Sequence, residues 1–222
     1  MVLIDRPSPN HDERPSGVDM LVLHYTGMPT AAAALERLCD PLAQVSAHYM
    51  IDEDGTIYRL VAEDRRAWHA GASFWAGRSR TNDRAIGVEL VNPGHEWGYR
   101  AFPDAQVESL IGLSQEILSR HSIPARHVLG HSDVAPARKT DPGELFPWSV
   151  LAANGIGLWP EPAEPQDDFV AMLAAFGYGV PPQVDAPVEA VITAFQRHFR
   201  PSGIDGVADA ECAGLLAGLL AR

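Results

Sequence analysis

Lysine is almost absent from this chain: a single one, Lys139, stands against sixteen arginines in 222 residues. Cysteine is scarce as well, and Cys39 and Cys212 are too few for a disulfide framework, so they read as small buried hydrophobes in a reducing compartment. A surplus of positive charge is missing. The net charge of −12 excludes the clustered Lys and Arg that a nucleic-acid backbone requires, and it works against anionic membrane surfaces. No stretch approaches the roughly 18 uninterrupted apolar residues of a membrane span, so no membrane insertion is expected. Residues Met1 to Asn10 have neither the basic region nor the apolar core of a signal peptide, which predicts a cytoplasmic protein. A leader already removed would leave the same pattern in a periplasmic one. What remains is ordinary globular material: 46% hydrophobic and 21% charged residues, enough for a sizeable core in one large domain or one domain plus a small module.

Short apolar runs alternate with helical stretches. Asp19 to Tyr25 reads as a buried strand ending at a functional edge, and Thr30 to Cys39 as a helix stopped by Asp40-Pro41. His48 to Asp52 and Thr56 to Val61 flank Glu53-Asp54-Gly55, a hairpin signal. Ala85 to Asn92 predicts another strand, Pro103 to His121 a helix, and His127 to Gly130 a last short strand. The expectation is an α/β fold, a mixed β-sheet flanked by helices, over residues 1–158. Residues 159–168 are rich in proline and acid, the composition of a stiff linker. Residues 169–222 read as a small three-helix domain: Phe169 to Phe176, Val188 to Phe199 and Ala208 to Ala221.

Lys139 lies in a loop, Gly130 to Gly143, that also carries His131 and Asp141. An ammonium is a compact point charge whose pKa moves on burial, whereas guanidinium is a planar fork, so a site needing the former explains the one lysine; an arginine-biased coding sequence explains it equally. Of nine histidines, only His24 and His131 sit directly at the ends of apolar strand runs, rigid platforms on which metal ligands are held. Two imidazoles and a carboxylate with an open fourth position form a common catalytic zinc arrangement. Asp141 is the preferred carboxylate and Asp133 the competing one; a satisfied core role for the histidines also fits. Glu89 places a carboxyl inside an apolar strand, which is costly unless it is paired, protonated or beside a metal, or unless it faces outward from an edge. His48, His95, His121, His127 and His198 read as structural or solvent-facing.

Together Leu23-His24-Tyr25-Thr26, Ala67-Trp68-His69-Ala70-Gly71, Asn82 to Leu90 and Gly130 to Gly143 resemble the type 2 N-acetylmuramoyl-L-alanine amidases, in the AmpD/AmiD branch, over about residues 8–150. Phe176-Gly177-Tyr178, Ala194 to Arg197 and Ile204-Asp205-Gly206 resemble a peptidoglycan-binding helical domain. The resemblance implies Zn2+ held by His24, His131 and Asp141, with Glu89 and Lys139 as catalytic residues. It implies hydrolysis of the amide between the lactyl group of N-acetylmuramic acid and L-alanine. Trp68 and His69 would wall the substrate groove, and Arg80 would bind a stem-peptide carboxylate bidentately.

Two roles fit that chemistry: a cytoplasmic recycling enzyme acting on soluble anhydro-muropeptides, which is favoured, or a periplasmic enzyme acting on polymeric peptidoglycan. A muropeptide-binding protein without hydrolysis is a third reading, marked in related proteins by loss of a metal ligand. The resemblance implies glycan binding by the C-terminal domain, but Pro181-Pro182-Gln183-Val184 and Pro187 interrupt its first interhelical loop, a departure from the pattern that points instead to bracing the catalytic domain or supporting a dimer.

Overall fold

The strand Met20–Tyr25 is buried from its first residue to its fifth, which requires a cover on each face of the sheet that holds it. The computed structural model, which describes residues 2–165 and 168–222, supplies both covers. The strands in chain order are β1 (Leu3–Asp5), β2 (His11–Glu13), β3 (Met20–Tyr25), β4 (Tyr49–Ile51) and β5 (Ile57–Arg59). They continue with β6 (Arg65–Ala67), β7 (Phe74–Trp75), β8 (Arg78–Ser79), β9 (Ala85–Leu90) and β10 (Val128–Gly130). Six form one mixed sheet in the order β1-β5-β4-β9-β3-β10, with β3 parallel to both β9 and β10 and the β4–β5 hairpin antiparallel. The helices are α1 (Ala31–Cys39), α2 (Gly94–Trp97), α3 (Asp104–Arg120), α4 (His131–Val134) and α5 (Trp148–Ala153), then α6 (Phe169–Phe176), α7 (Val188–Phe199) and α8 (Ala210–Leu220).

Alternation along the strands sorts side chains to the two faces. Leu21, Leu23, Ile86, Val88 and Leu90 pack against Leu110, Leu113 and Ile117 of α3 and Trp148 and Leu151 of α5. Met20, Val22, Ala85 and Leu129 point the other way, into one core with Leu173, Phe176, Phe195, Phe199 and Leu216. The three C-terminal helices thus complete the second face of the sheet. They are not a bead on a string.

Residues 159–168, expected as a linker, behave as a strap where they are described; Gln166 and Asp167 lie outside the described residues. The Ala163 N–H donates to the Gly214 carbonyl at 3.0 Å, and a Cβ on Gly218 would come within 1.7 Å of the Glu161 carbonyl oxygen. Glycine in α8 is what lets the strap lie this close. A second tie runs through Asp133, whose fully buried carboxylate accepts from the Gly130 N–H (2.8 Å), the Tyr178 hydroxyl (2.6 Å) and His198 Nδ1 (2.7 Å). The His198 ring is stacked between Trp148 and Phe199, with centroids 3.7 and 3.8 Å away.

Removing residues 159–222 would expose Met20, Val22, Leu129 and Trp75 and leave Asp133 with a single partner. We expect the shortened chain to aggregate, or to melt well below the full chain in a thermal scan. A soluble fragment with an unchanged melting temperature would show that the sheet does not need this cover.

Candidate active site

Parallel pairing delivers the site. In the β3–β9 register His24 lies opposite Glu89, and β10 pairs with β3 so that Gly130, the residue before His131, lies opposite Leu23. His24, Glu89 and His131 therefore gather at one carboxyl edge of the sheet, the usual place for ligands in such sheets. Asp141 is brought back by its own backbone, because the Ser132 N–H donates to the Asp141 carbonyl at 2.9 Å. The returning loop crosses the strand end so closely that a Cβ on Gly130 would stand 2.7 Å from Pro142 Cδ.

His24 Nδ1, His131 Nδ1 and Asp141 Oδ2 lie 3.0, 3.1 and 3.1 Å from one another, all three residues buried. Ligand atoms on a tetrahedral ion with bonds of about 2.0–2.1 Å stand about 3.3–3.4 Å apart. A shift of a few tenths of an ångström therefore closes this triangle on a metal. The outer nitrogens agree with that use. His131 Nε2 lies 3.0 Å from the Ala70 carbonyl, to which it can only donate, so its Nδ1 lone pair is left for the ion. His24 Nε2 faces His69 Nδ1 at 3.0 Å. With His24 Nδ1 reserved for a metal, the His24 Nε2–H donates to His69, whose own proton then sits on Nε2, an atom with no partner among the described residues. Burial, and then the neighbouring His131, bring the His24 imidazole down to about 4, so it is neutral at pH 7. Burial alone would raise Asp141, but the charge and hydrogen bonds of His131 and His24 hold it far below the ordinary carboxylate range.

Glu89 sits on β9 between β3 and β4, so the outward-facing edge position does not apply. Its residue is only 9% exposed, and its Oε2 has no hydrogen-bond partner among the described residues. Burial first and Asp141 second raise it well above the usual range, with Lys139 acting the other way, so in the metal-free protein Glu89 carries a proton at acidic and mildly acidic pH.

His131 and Asp141 of the ligand triangle, Glu89 and Lys139 line one pocket of about 400 Å³, whose wall also includes Tyr25, Arg37, His69, Arg138 and Thr140. His69 is part of the wall and also the support of His24; it lies flat over Gly87, where a Cβ would be 2.5 Å from the imidazole. Trp68 and Arg80 do not line this pocket. Trp68 is half-buried, and the exposed Arg80 pairs with Asp83 at 3.0 Å. Asp133, the competing carboxylate, is committed to Tyr178 and His198. Arg37, Arg138 and Tyr25 escaped the sequence reading. Tyr25 adjoins His24 in the His-Tyr-Thr motif, but Arg37 gives no sequence signal beyond its place in the last turn of a helix. Arg138 bonds the Ala70 and Ala72 carbonyls at 2.8 and 2.6 Å and ties the metal loop to the His69 loop. A larger cavity, about 920 Å³, lies between β1, β5 and α3, but its charged residues Glu63 and Arg120 already satisfy each other at 2.7 Å. Chemistry belongs to the smaller pocket.

Three converging ligand atoms, an open approach and a proton-bearing carboxyl beside them are the parts of a metal-assisted hydrolase. Residues 13–144 match the family model described as N-acetylmuramoyl-L-alanine amidase. The amidase AmiD of Escherichia coli is 38% identical across 92% of this chain and 83% of its own length. The 1,6-anhydro-N-acetylmuramyl-L-alanine amidase AmpD of Enterobacter cloacae is 38% identical over 66% of this chain and 87% of its own. The solved complex of E. coli AmiD with the substrate anhydro-N-acetylmuramic acid-L-Ala-D-γ-Glu-L-Lys superposes with a TM-score of 0.82 at 38% identity, covering 96% of this chain and 90% of that one. This chain belongs to the N-acetylmuramoyl-L-alanine amidase family and is such an amidase. Its likeness to AmiD spans the C-terminal helices as well.

A carboxyl whose folded pKa is raised opposes folding above the unfolded pKa, and the penalty grows until pH reaches the folded value. Glu89→Gln should therefore raise the melting temperature of the metal-free protein at pH 7 to 8 and leave it unchanged near pH 4. About 1 kcal/mol corresponds to roughly 2–4 °C in a chain of this size. Equal shifts at both pH values would contradict the burial of an ionisable group there.

Proposed function

We propose that the protein is a zinc-dependent amidase that hydrolyses the bond between the lactyl carbonyl of N-acetylmuramic acid and the nitrogen of L-alanine in soluble anhydro-muropeptides, a step of cell-wall recycling in the cytoplasm. The observation that carries the reading is the buried triangle of His24, His131 and Asp141 with Glu89 beside it. His24 Nδ1, His131 Nδ1 and Asp141 Oδ2 would hold the zinc. When bound, zinc supplies a Lewis acid for the scissile carbonyl and lowers the pKa of water.

Glu89 is the general base and then the general acid. It takes a proton from the attacking water as the new C–O bond forms, and returns it to the alanine nitrogen as the C–N bond breaks. Its burial raises its proton affinity toward the range in which one group can do both. Lys139, in the same pocket, faces the oxyanion of the tetrahedral intermediate. His69 fixes the His24 ring by accepting from its Nε2, and Ala70 fixes His131 in the same way. The products are a muramyl carboxylate and a peptide with a free amino end.

Two observations favour a small soluble substrate. AmpD, the relative matched across the catalytic portion, carries the 1,6-anhydro-muramyl specificity in its name, and the C-terminal helices spend their apolar faces on the sheet, not on a glycan. A second reading, an enzyme acting on polymeric peptidoglycan in the periplasm, rests on the resemblance of the C-terminal helices to a peptidoglycan-binding domain. Digestion of intact sacculi beside anhydro-muropeptides separates the two: faster release from sacculi would reverse the preference.

Chelation should abolish cleavage of an anhydro-muramyl tripeptide, and added zinc should restore it. Glu89→Gln should bind zinc at the wild-type stoichiometry yet lose about 10²–10⁴-fold in turnover. Lys139→Arg should keep the charge but lose much of the rate, because a planar fork replaces a point charge. Cleavage that survives chelation, or near-normal turnover in Glu89→Gln, would overturn the mechanism.

A further inference from the structure

The loop that carries Lys139 and Thr140 has a second side. Behind it lies a cavity of about 310 Å³ whose opposite wall is α7, through Glu189, Thr193 and Arg197. Lys139 and Thr140 line both this cavity and the pocket of the ligand triangle, so the two are adjoining compartments of one cleft. Glu189, Thr193 and Arg197 are spaced four residues apart and form a single stripe along the helix.

Arg197 is the unfinished part of that stripe. Its side chain is only 13% exposed, its Nε is buried with no hydrogen-bond partner among the described residues, and a carboxylate within ion-pairing reach, Glu144, stands 3.9 Å away. Glu144 is itself engaged by His95 at 3.1 Å. A largely buried guanidinium left this loosely paired is costly, and a carboxylate arriving from a ligand would complete it. Its position is fixed, because the next residue, His198, is held by Asp133 in the turn after His131. At the open end of the stripe Glu189 is exposed and offers a negative charge.

We propose that α7 builds a distal subsite of the substrate cleft, which takes the end of the stem peptide: its terminal carboxylate at Arg197 and the side-chain ammonium of a diamino acid toward Glu189. The subsite rests on the amidase reading above and assigns to the C-terminal helices a share in substrate binding in addition to covering the sheet. It accounts for an anion and a cation eight residues apart on one helix face beside the reactive pocket. Arg80, paired with Asp83 outside the pocket, is not needed for that task.

Binding of the free tripeptide L-Ala-D-γ-Glu-L-Lys to the zinc-loaded full chain, measured by calorimetry, tests the subsite without any bond being cleaved. Arg197→Met should weaken binding about tenfold, Arg197→Lys should recover part of the loss, and Glu189→Gln should weaken the lysine-ended peptide but not an alanine-ended one. The C-terminally amidated tripeptide should bind the wild-type protein as weakly as the free acid binds Arg197→Met, an arm that needs no variant to fold. Acid and amide binding the wild type equally, or no measurable binding of either, would overturn the subsite. Parallel assays on the muramyl tripeptide keep the two readings apart. Cleavage without acid-amide discrimination removes the subsite alone; discrimination without cleavage removes the reaction alone.

Discussion

The parallel register that sets His24 of β3 beside Glu89 of β9 is the constraint on which the rest depends. Side chains alternate along a strand, so a slip of one residue would turn both groups toward α3 and into the apolar core beneath. The register is held by what lies on the two faces: Leu21 and Leu23 on one side, Met20 and Val22 on the other. Because the second face is finished by α6 to α8, the chemistry at the carboxyl edge and the packing of the C-terminal helices are parts of one arrangement. Asp133 makes the link explicit, two residues after His131 and bonded to both Tyr178 and His198.

Charge explains why the site is built this way in an acidic protein. His24 Nδ1, His131 Nδ1 and Asp141 Oδ2 converge to about 3 Å from one another, an arrangement of ligand atoms that suits a cation and that apolar packing alone would not hold. Burial, and then the nearby Asp141, raise the proton affinity of the Glu89 carboxyl. Around them the chain places Lys139, Arg37 and Arg138, a local reversal of its net charge of −12 that suits a substrate carrying carboxylates.

Much of this was legible in the sequence. Strand-end histidines, a glutamate inside an apolar strand and one lysine in a proline-rich loop point toward the pocket, because each stands out from its surroundings, but choosing among their alternatives takes the motif resemblance as well. The helices α1, α3, α6 and α7 were visible for the opposite reason, since their periodicity is undisturbed. Short strands such as β1 and β2 are not, because three residues cannot show a period. Nor was the burial of α6 to α8 against the sheet: a proline-rich stretch composed like a linker gives no hint that Gly214 and Gly218 let it lie on α8. The resemblance implies a groove role for Trp68 and Arg80, and neither lines the pocket of about 400 Å³. Arg197 shows the converse, a residue that became informative only once its unpartnered Nε and its neighbours were seen.

Hydrolysis of an anhydro-muramyl tripeptide in ¹⁸O-labelled water, read by mass spectrometry of the products, tests most directly whether water attacks the lactyl carbonyl of muramic acid. One heavy oxygen in the muramyl carboxylate and none in the released tripeptide is the predicted result. Label in the peptide, or products cut at any other bond, would contradict it.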